Sequence, residues 1–143
     1  MQLSNFRIAK DEIALEIGDG YYDLHNCFDF IDLKYDVAAR SIEFNWKKNA
    51  GNWVPADSPE TIQLLIEGVQ FFKAKERDSE TLYTDDNCLN CIGFIGNDLF
   101  DVMDGIRGHE PGPDCTHFCV IFESGFAVKI GTETAAVKIN GCI

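Results

Sequence analysis

Two runs of alternating apolar and polar residues constrain what this chain can fold into more than any other feature. They span residues 31–37 and 41–47. Successive side chains of a strand point to opposite faces, so each run has one apolar and one polar face. Together they predict an antiparallel hairpin with Lys34 opposite Glu43 and with Trp46 buried. The predicted apolar face of the first strand consists of Ile31, Leu33, Tyr35 and Val37.

Further short apolar runs extend this β pattern along the chain. They predict strands at residues 6–9, 13–17, 61–68, 91–95, 117–123, 126–130 and 134–139. Residues 69–75 are expected either to continue the strand 61–68 or to bend away from it at Gly68, where a bulge is natural. Residues 21–28 and 76–90 are expected to be connections. The predicted fold is an all-β antiparallel sandwich of two sheets, or a partly open barrel, in a single domain over residues 1–143.

Helical spacing occurs in one segment of the chain. Leu99, Val102, Met103 and Ile106 stand at positions i, i+3, i+4 and i+7, which is the spacing of one helix face. We therefore expect one short helix near residues 98–107.

Composition excludes several classes of function. The chain has 24 acidic and 12 basic residues and a formal net charge of −12. Binding to nucleic acid or to an anionic membrane requires a basic surface, so neither is expected. The first residues form no apolar signal segment, and no apolar stretch reaches membrane-spanning length, so the expected location is the cytoplasm. Both a monomer and a homodimer fit the composition.

Five of the seven cysteine and histidine positions in the second half of the chain are candidate zinc ligands. The C-x₂-C pair has the spacing of a zinc knuckle, whereas the C-x₃-C pair that encloses a histidine does not, and the usual knuckle glycine is missing. Because cysteine is among the most buried residue types and stays reduced in the cytosol, we expect free thiols, no metal and no cofactor. The candidates are Cys88, Cys91, Cys115, His117 and Cys119.

Two other groups of residues carry side chains that could bind a cation or act as a nucleophile. Asp98, Asp101 and Asp104 form a carboxylate ridge on the predicted helix, but the Ca²⁺-binding loop pattern is absent and a solvated face is expected. His25 lies two residues from Cys27, a pair that would need an orienting partner to act as a nucleophile. No nucleophile elbow or phosphate-binding loop occurs, so an enzyme is not expected.

The charge is concentrated between Glu76 and Glu123, where eleven acids face two bases. Such a segment can steer a basic partner through its summed field. The expected function is therefore a non-enzymatic protein-binding domain with an acidic surface. In size and charge alone, the chain is similar to small acidic immunity proteins that inhibit toxins. The predicted partner-binding residues are Asp85, Asp86, Asp98, Asp101 and Asp104.

Two alternatives remain open from the sequence. In the first, the sheets enclose an apolar cavity for a small molecule, rimmed by Tyr21, Tyr22 and Trp53. In the second, the cysteine and histidine residues named above hold a structural zinc ion.

Overall fold

The structure, a computed structural model, describes residues 1–97 and 105–140. Its only helical element in these ranges is a 3₁₀ turn at Tyr83–Asn87, and no described helix is long and apolar enough to cross a membrane. The all-β prediction is confirmed. The described strands are β1 (Gln2–Leu3), β2 (Arg7–Ile8), β3 (Ala14–Ile17), β4 (Gly20–Asp23), β5 (Phe28–Asp36), β6 (Ser41–Lys48), β7 (Thr61–Glu67), β8 (Phe71–Lys75), β9 (Leu89–Ile95), β10 (His117–Phe122), β11 (Ala127–Gly131) and β12 (Thr134–Asn140).

The strands form three sheets with a sandwich-like arrangement. Five strands pair in the order β1-β12-β7-β6-β5, four in the order β8-β11-β10-β9, and three in the order β2-β3-β4. All described pairings are antiparallel except the short parallel pairing of β1 with β12. None of the described sheets closes into a barrel.

One bent ribbon connects the two larger sheets. β7 pairs with β12 in the five-stranded sheet, and their continuations β8 and β11 pair in the four-stranded sheet. The bend lies at Gly68, whose φ of 72° is in the left-handed region that favours glycine. The Thr132 hydroxyl donates to the Glu67 carbonyl beside it. Of the two alternatives for residues 69–75, the structure shows the bend at Gly68, and this bend closes this side of the sandwich.

The predicted hairpin is present as β5 and β6, with a correction at both ends of its first run. Lys34 pairs with Glu43, and Trp46 is only 1% exposed, as expected. The register shifts between Phe30 and Asp32, so Ile31 is an extra residue and is 50% exposed. Val37 lies in the connecting loop and is 70% exposed. The prediction that these two residues face the core is wrong.

A continuous apolar core fills the space between the sheets. The three-stranded sheet contributes to it with Ile8 and Leu15, and the turn after β4 contributes Leu24. The prediction of an irregular connection over residues 21–28 is wrong at its start, because β4 pairs with β3 there. Members from the two larger sheets include Ile42, Phe44, Trp46, Ile62, Leu64, Phe94, Phe118, Val120, Phe122 and Val128.

The predicted helix near residues 98–107 falls mainly on residues 98–104, which lie outside the described part of the chain. Residues 105–107 are described and have no helical assignment. There the Arg107 amide donates to the Phe94 carbonyl, and the Phe94 amide donates to the Gly108 carbonyl. This end of the segment therefore pairs with the edge of β9.

Candidate functional site at the open edge of the sandwich

The β5 strand is an edge strand that crosses the four-stranded sheet. The Tyr35 ring packs against Phe72 of β8 at 4.9 Å, and the Phe30 ring packs against Phe122 of β10 at 4.5 Å. β6 pairs with one side of β5. On the other side, no described backbone group outside β6 forms a hydrogen bond with the backbone of Phe28–Asp36. Within residues 1–97 and 105–140, the backbone donors and acceptors of this edge therefore have no strand partner.

The apolar interior opens to solvent along this edge. Phe30, Leu33 and Phe126 are only half-buried, although Phe30 and Phe126 both contact the buried Phe122. These side chains form the floor of a groove of about 690 Å³. Its full lining is Phe30, Ile31, Leu33, Glu76, Arg77, Tyr83, Asp86, Asn87 and Phe126.

The far wall of the groove is the segment of residues 76–87, which is organised around Arg77. The guanidinium donates twice to Asp86, at 2.9 and 3.2 Å, and also to the carbonyls of Thr81 and Leu82 at 2.9 and 3.0 Å. It lies 4.8 Å from the centre of the Tyr83 ring. Most of the segment predicted to be a connection, residues 76–90, is thus held by these contacts and forms one wall of the groove.

The pKa of Asp86 is lowered by two of its hydrogen-bond partners. Its hydrogen bonds with Arg77 and Ser124 lower the pKa of the carboxyl group below its ordinary value. The Asp78 amide donates to the Ser124 carbonyl at 2.8 Å, which ties this wall to the turn between β10 and β11.

The charge around the groove is acidic. Glu76 is exposed in the lining, while Asp86 is balanced by Arg77. The edge strand itself carries three aspartates and one lysine, namely Asp29, Asp32, Asp36 and Lys34. Charged side chains on an edge strand oppose pairing with an identical strand, and acidic ones favour a basic partner.

The structure places only part of the predicted partner-binding set. Asp85 and Asp86 lie on the 3₁₀ turn of the groove wall, and both are half-buried. Asp98, Asp101 and Asp104 lie outside the described residues. The groove itself was not predicted, because its floor and wall come from three segments that are far apart in sequence.

The three aromatic residues predicted to rim a cavity have different surroundings. Tyr21 is exposed and its hydroxyl donates to Asp11, which raises the pKa of the phenol. Tyr22 packs against the core. Trp53 is 63% exposed and its Nε1 donates to the Asn26 carbonyl at 2.8 Å. Binding of a small molecule stays a prediction.

The five predicted zinc candidates do not form a metal-binding cluster among the described residues. Among the described residues, no three of them bring ligand atoms close enough to share an ion. Burial raises the pKa of the Cys91 thiol to about 11 and that of Cys119 to about 12, so both are protonated at neutral pH. His117 stacks on Phe71 at 5.2 Å, and burial lowers the pKa of its imidazole. Cys115 forms an isolated bridge with Gly112.

Cys88 has a different set of neighbours. Its sulfur lies 3.6 Å from Nδ1 of His25, and the same nitrogen lies 3.7 Å from a carboxylate oxygen of Glu123. Burial, followed by the charge of Glu123, raises the pKa of the Cys88 thiol, which disfavours a thiolate nucleophile. The histidine singled out from the sequence thus pairs with Cys88, 63 residues away, rather than with Cys27.

No protein-family model, no curated protein and no solved structure matches this chain. Its function therefore has to be inferred from the geometry and charge of its surface.

Proposed function

We propose that this protein binds a basic, extended segment of a partner protein in the groove between β5 and residues 76–87. One observation carries the proposal: half-buried Phe30, Leu33 and Phe126 line an open groove beside an acidic edge strand. Apolar side chains next to an unpaired strand edge supply both parts of strand-addition binding. The backbone gives affinity, and the pockets select alternate side chains.

The charges on β5 indicate that the partner segment is positively charged. A strand laid along this edge meets Asp29, Asp32 and Asp36, against which only Lys34 is basic. Opposite charges directly across two strands contribute roughly 0.2–1 kcal/mol per pair, and like charges are destabilising. A second copy of β5 is therefore disfavoured, and a lysine-rich or arginine-rich segment is favoured. The net charge of −12 adds long-range steering of such a partner.

The bulge at Ile31 limits how the segment docks. A bulge interrupts the regular ladder and bends the strand, so pairing is expected along residues 32–36. The exposed side chains of Ile31 and Tyr83 then close over the docked segment from the two sides of the groove. Both can be truncated at little cost to the fold, because they are largely exposed.

A defined peptide tests this proposal. A fluorescein-labelled octapeptide that alternates lysine with isoleucine should increase its fluorescence anisotropy on binding, and the binding should weaken as NaCl is raised. The double variant Ile31→Ser with Tyr83→Ser should weaken binding at least about tenfold. Val37→Ser, which truncates an exposed apolar side chain outside the groove, should leave it unchanged.

A second peptide separates specific docking from simple charge attraction. Replacing the lysines by glutamates should abolish binding. The proposal is wrong if the acidic peptide binds equally well, or if the groove variant and Val37→Ser bind the basic peptide alike.

A further inference from the structure

Three side chains of metal-binding type converge at the start of β9. His25 lies in the turn after β4, Cys88 immediately precedes β9, and Glu123 immediately follows β10. One ligand atom from each lies within 4.8 Å of the others. We infer that His25, Cys88 and Glu123 form a zinc-binding site. It is distinct from the peptide groove and does not depend on that proposal.

The two distances from His25 Nδ1 are close to the edges of a zinc coordination tetrahedron. Zinc lies about 2.0–2.1 Å from a histidine nitrogen and about 2.3 Å from a cysteine sulfur. At tetrahedral angles these bonds place nitrogen and sulfur about 3.6 Å apart, and nitrogen and a carboxylate oxygen about 3.4 Å apart. The observed separations from Nδ1 of His25 are 3.6 Å to Cys88 and 3.7 Å to Glu123. Both separations from the ring nitrogen are therefore close to those that a bound zinc ion requires, and the sulfur and the carboxylate oxygen lie within 4.8 Å of each other.

Several electron-rich atoms surround one ring nitrogen. Nδ1 of His25 faces the Leu89 carbonyl as well as the Cys88 sulfur and the Glu123 carboxylate. A single N–H at this position has one proton to donate, and it serves the Leu89 carbonyl best. A cation bound to Nδ1, the thiolate and the carboxylate satisfies the remaining groups together. The imidazole proton then lies on Nε2 and the thiol proton passes to solvent. A water takes the fourth position, and the Leu89 carbonyl exchanges the lost ring N–H for a hydrogen bond from water.

The backbone holds all three ligands in place before any ion binds. An oxygen of Asp23 accepts hydrogen bonds from the amides of His25, at 3.0 Å, and Asn26, at 2.8 Å, which fixes the turn that carries the imidazole. The Glu123 amide donates to the Cys88 carbonyl at 2.9 Å. Cys88 and Glu123 therefore lie on two segments that are hydrogen-bonded to each other, and little conformational entropy of the chain is lost when an ion binds.

The chemistry of the ligands and their surroundings favours a zinc dication. Asp23, Asp29 and Asp85 act electrostatically on the thiol, so the local field is negative and attracts a cation. Magnesium and calcium prefer all-oxygen sites, whereas imidazole and thiolate suit zinc. Three protein ligands leave one position of the tetrahedron open.

Cobalt provides a visible probe of this site in the full chain. After treatment with a chelator, addition of Co²⁺ should give tetrahedral absorption bands and a thiolate-to-cobalt charge-transfer band that saturate at one equivalent. Zn²⁺ should abolish both. Cys88→Ser should lose the charge-transfer band, and Glu123→Gln should weaken Co²⁺ binding about tenfold or more. Cys27→Ser, two residues from His25, is the matched control and should retain the full spectrum.

Two results would overturn the site. One is the absence of a charge-transfer band with Co²⁺ in the wild-type protein. The other is a band that persists in Cys88→Ser and disappears in Cys91→Ser. Circular dichroism of each variant checks that it is folded. Zn²⁺ should also raise the thermal midpoint of the wild type but not that of folded Cys88→Ser, since a ligand of the native state stabilises that state.

Discussion

The two strands of the β5–β6 hairpin have similar alternating sequences but very different surroundings. On β6 the apolar residues Ile42, Phe44 and Trp46 are at most 1% exposed. On β5 their counterparts Phe30 and Leu33 are half-buried. Among the strands of residues 1–97 and 105–140, β6 has a partner on both sides, whereas β5 has a partner on one side only. Alternation thus indicates which face of a strand is apolar, but its place in the sheet decides how completely that face is covered.

This contrast predicts that truncating an apolar side chain lowers the free energy of unfolding more on β6 than on β5. Trp46→Ala should lower the free energy of unfolding by about 3–5 kcal/mol, because it empties a fully enclosed site. Phe30→Ala should cost at least about 1 kcal/mol less, because part of its ring already contacts water. Urea unfolding of the two variants measures the difference. Equal costs would mean that the β5 edge is covered in solution.

The burial of β6 can also be measured by comparing the fluorescence of the two tryptophans, one on β6 and one in the loop after it. In a Trp53→Phe background, the fluorescence of Trp46 should resist quenching by iodide, since its indole is buried. In a Trp46→Phe background, Trp53, at 63% exposure, should be readily quenched. Full quenching of Trp46 in the native state would contradict the observed packing of β6.

The conformation of the groove wall, residues 76–87, should depend on the side chain of Arg77. Arg77→Gln removes charge-assisted hydrogen bonds to Asp86 and to two carbonyls, and should lower stability by about 1–3 kcal/mol. Hydrogen exchange of residues 78–87 should accelerate more than that of β6. Lys73→Gln, a substitution of an exposed cation outside the groove lining, should not produce this local acceleration.

The pH dependence of the wall follows from the lowered pKa of Asp86. A carboxyl group whose pKa is lower in the folded state stabilises that state when the pH is above its unfolded-state pKa of about 4. This stabilisation is lost as the pH falls through the pKa of the folded state. The wild type should therefore lose stability more steeply below pH 4 than Asp86→Asn does. Urea midpoints between pH 2 and pH 6 measure this small effect. Parallel curves would show that the Arg77–Asp86 pair does not contribute.

Much of the fold could be predicted because strand pairing follows local patterns. The Lys34–Glu43 register and the bend at Gly68 both follow from alternation and from one glycine. The bulge at Ile31 was missed, although the sequence carries a signal for it. Phe30 and Ile31 are consecutive apolar residues, and this break in alternation marks where the strand changes phase.

The candidate sites were less predictable because long-range pairing assembles them. His25 and Cys88 are 63 residues apart, and only the pairing of β9 with β10 brings Glu123 beside them. Likewise, Arg77 and Phe126 have no local feature that assigns them to one groove. Local sequence patterns specify faces and turns, whereas the contacts between edges and loops depend on the assembled topology.

The most direct test of the account is a map of where a basic segment binds. Amide chemical shifts of the ¹⁵N-labelled protein should be recorded during titration with the lysine–isoleucine octapeptide. We expect the changes to cluster at residues 30–36, 76–87 and 126, with β6 and the Trp53 loop little affected. Changes centred on Tyr21 and Trp53, or spread evenly over the acidic surface, would contradict binding at the open edge of β5.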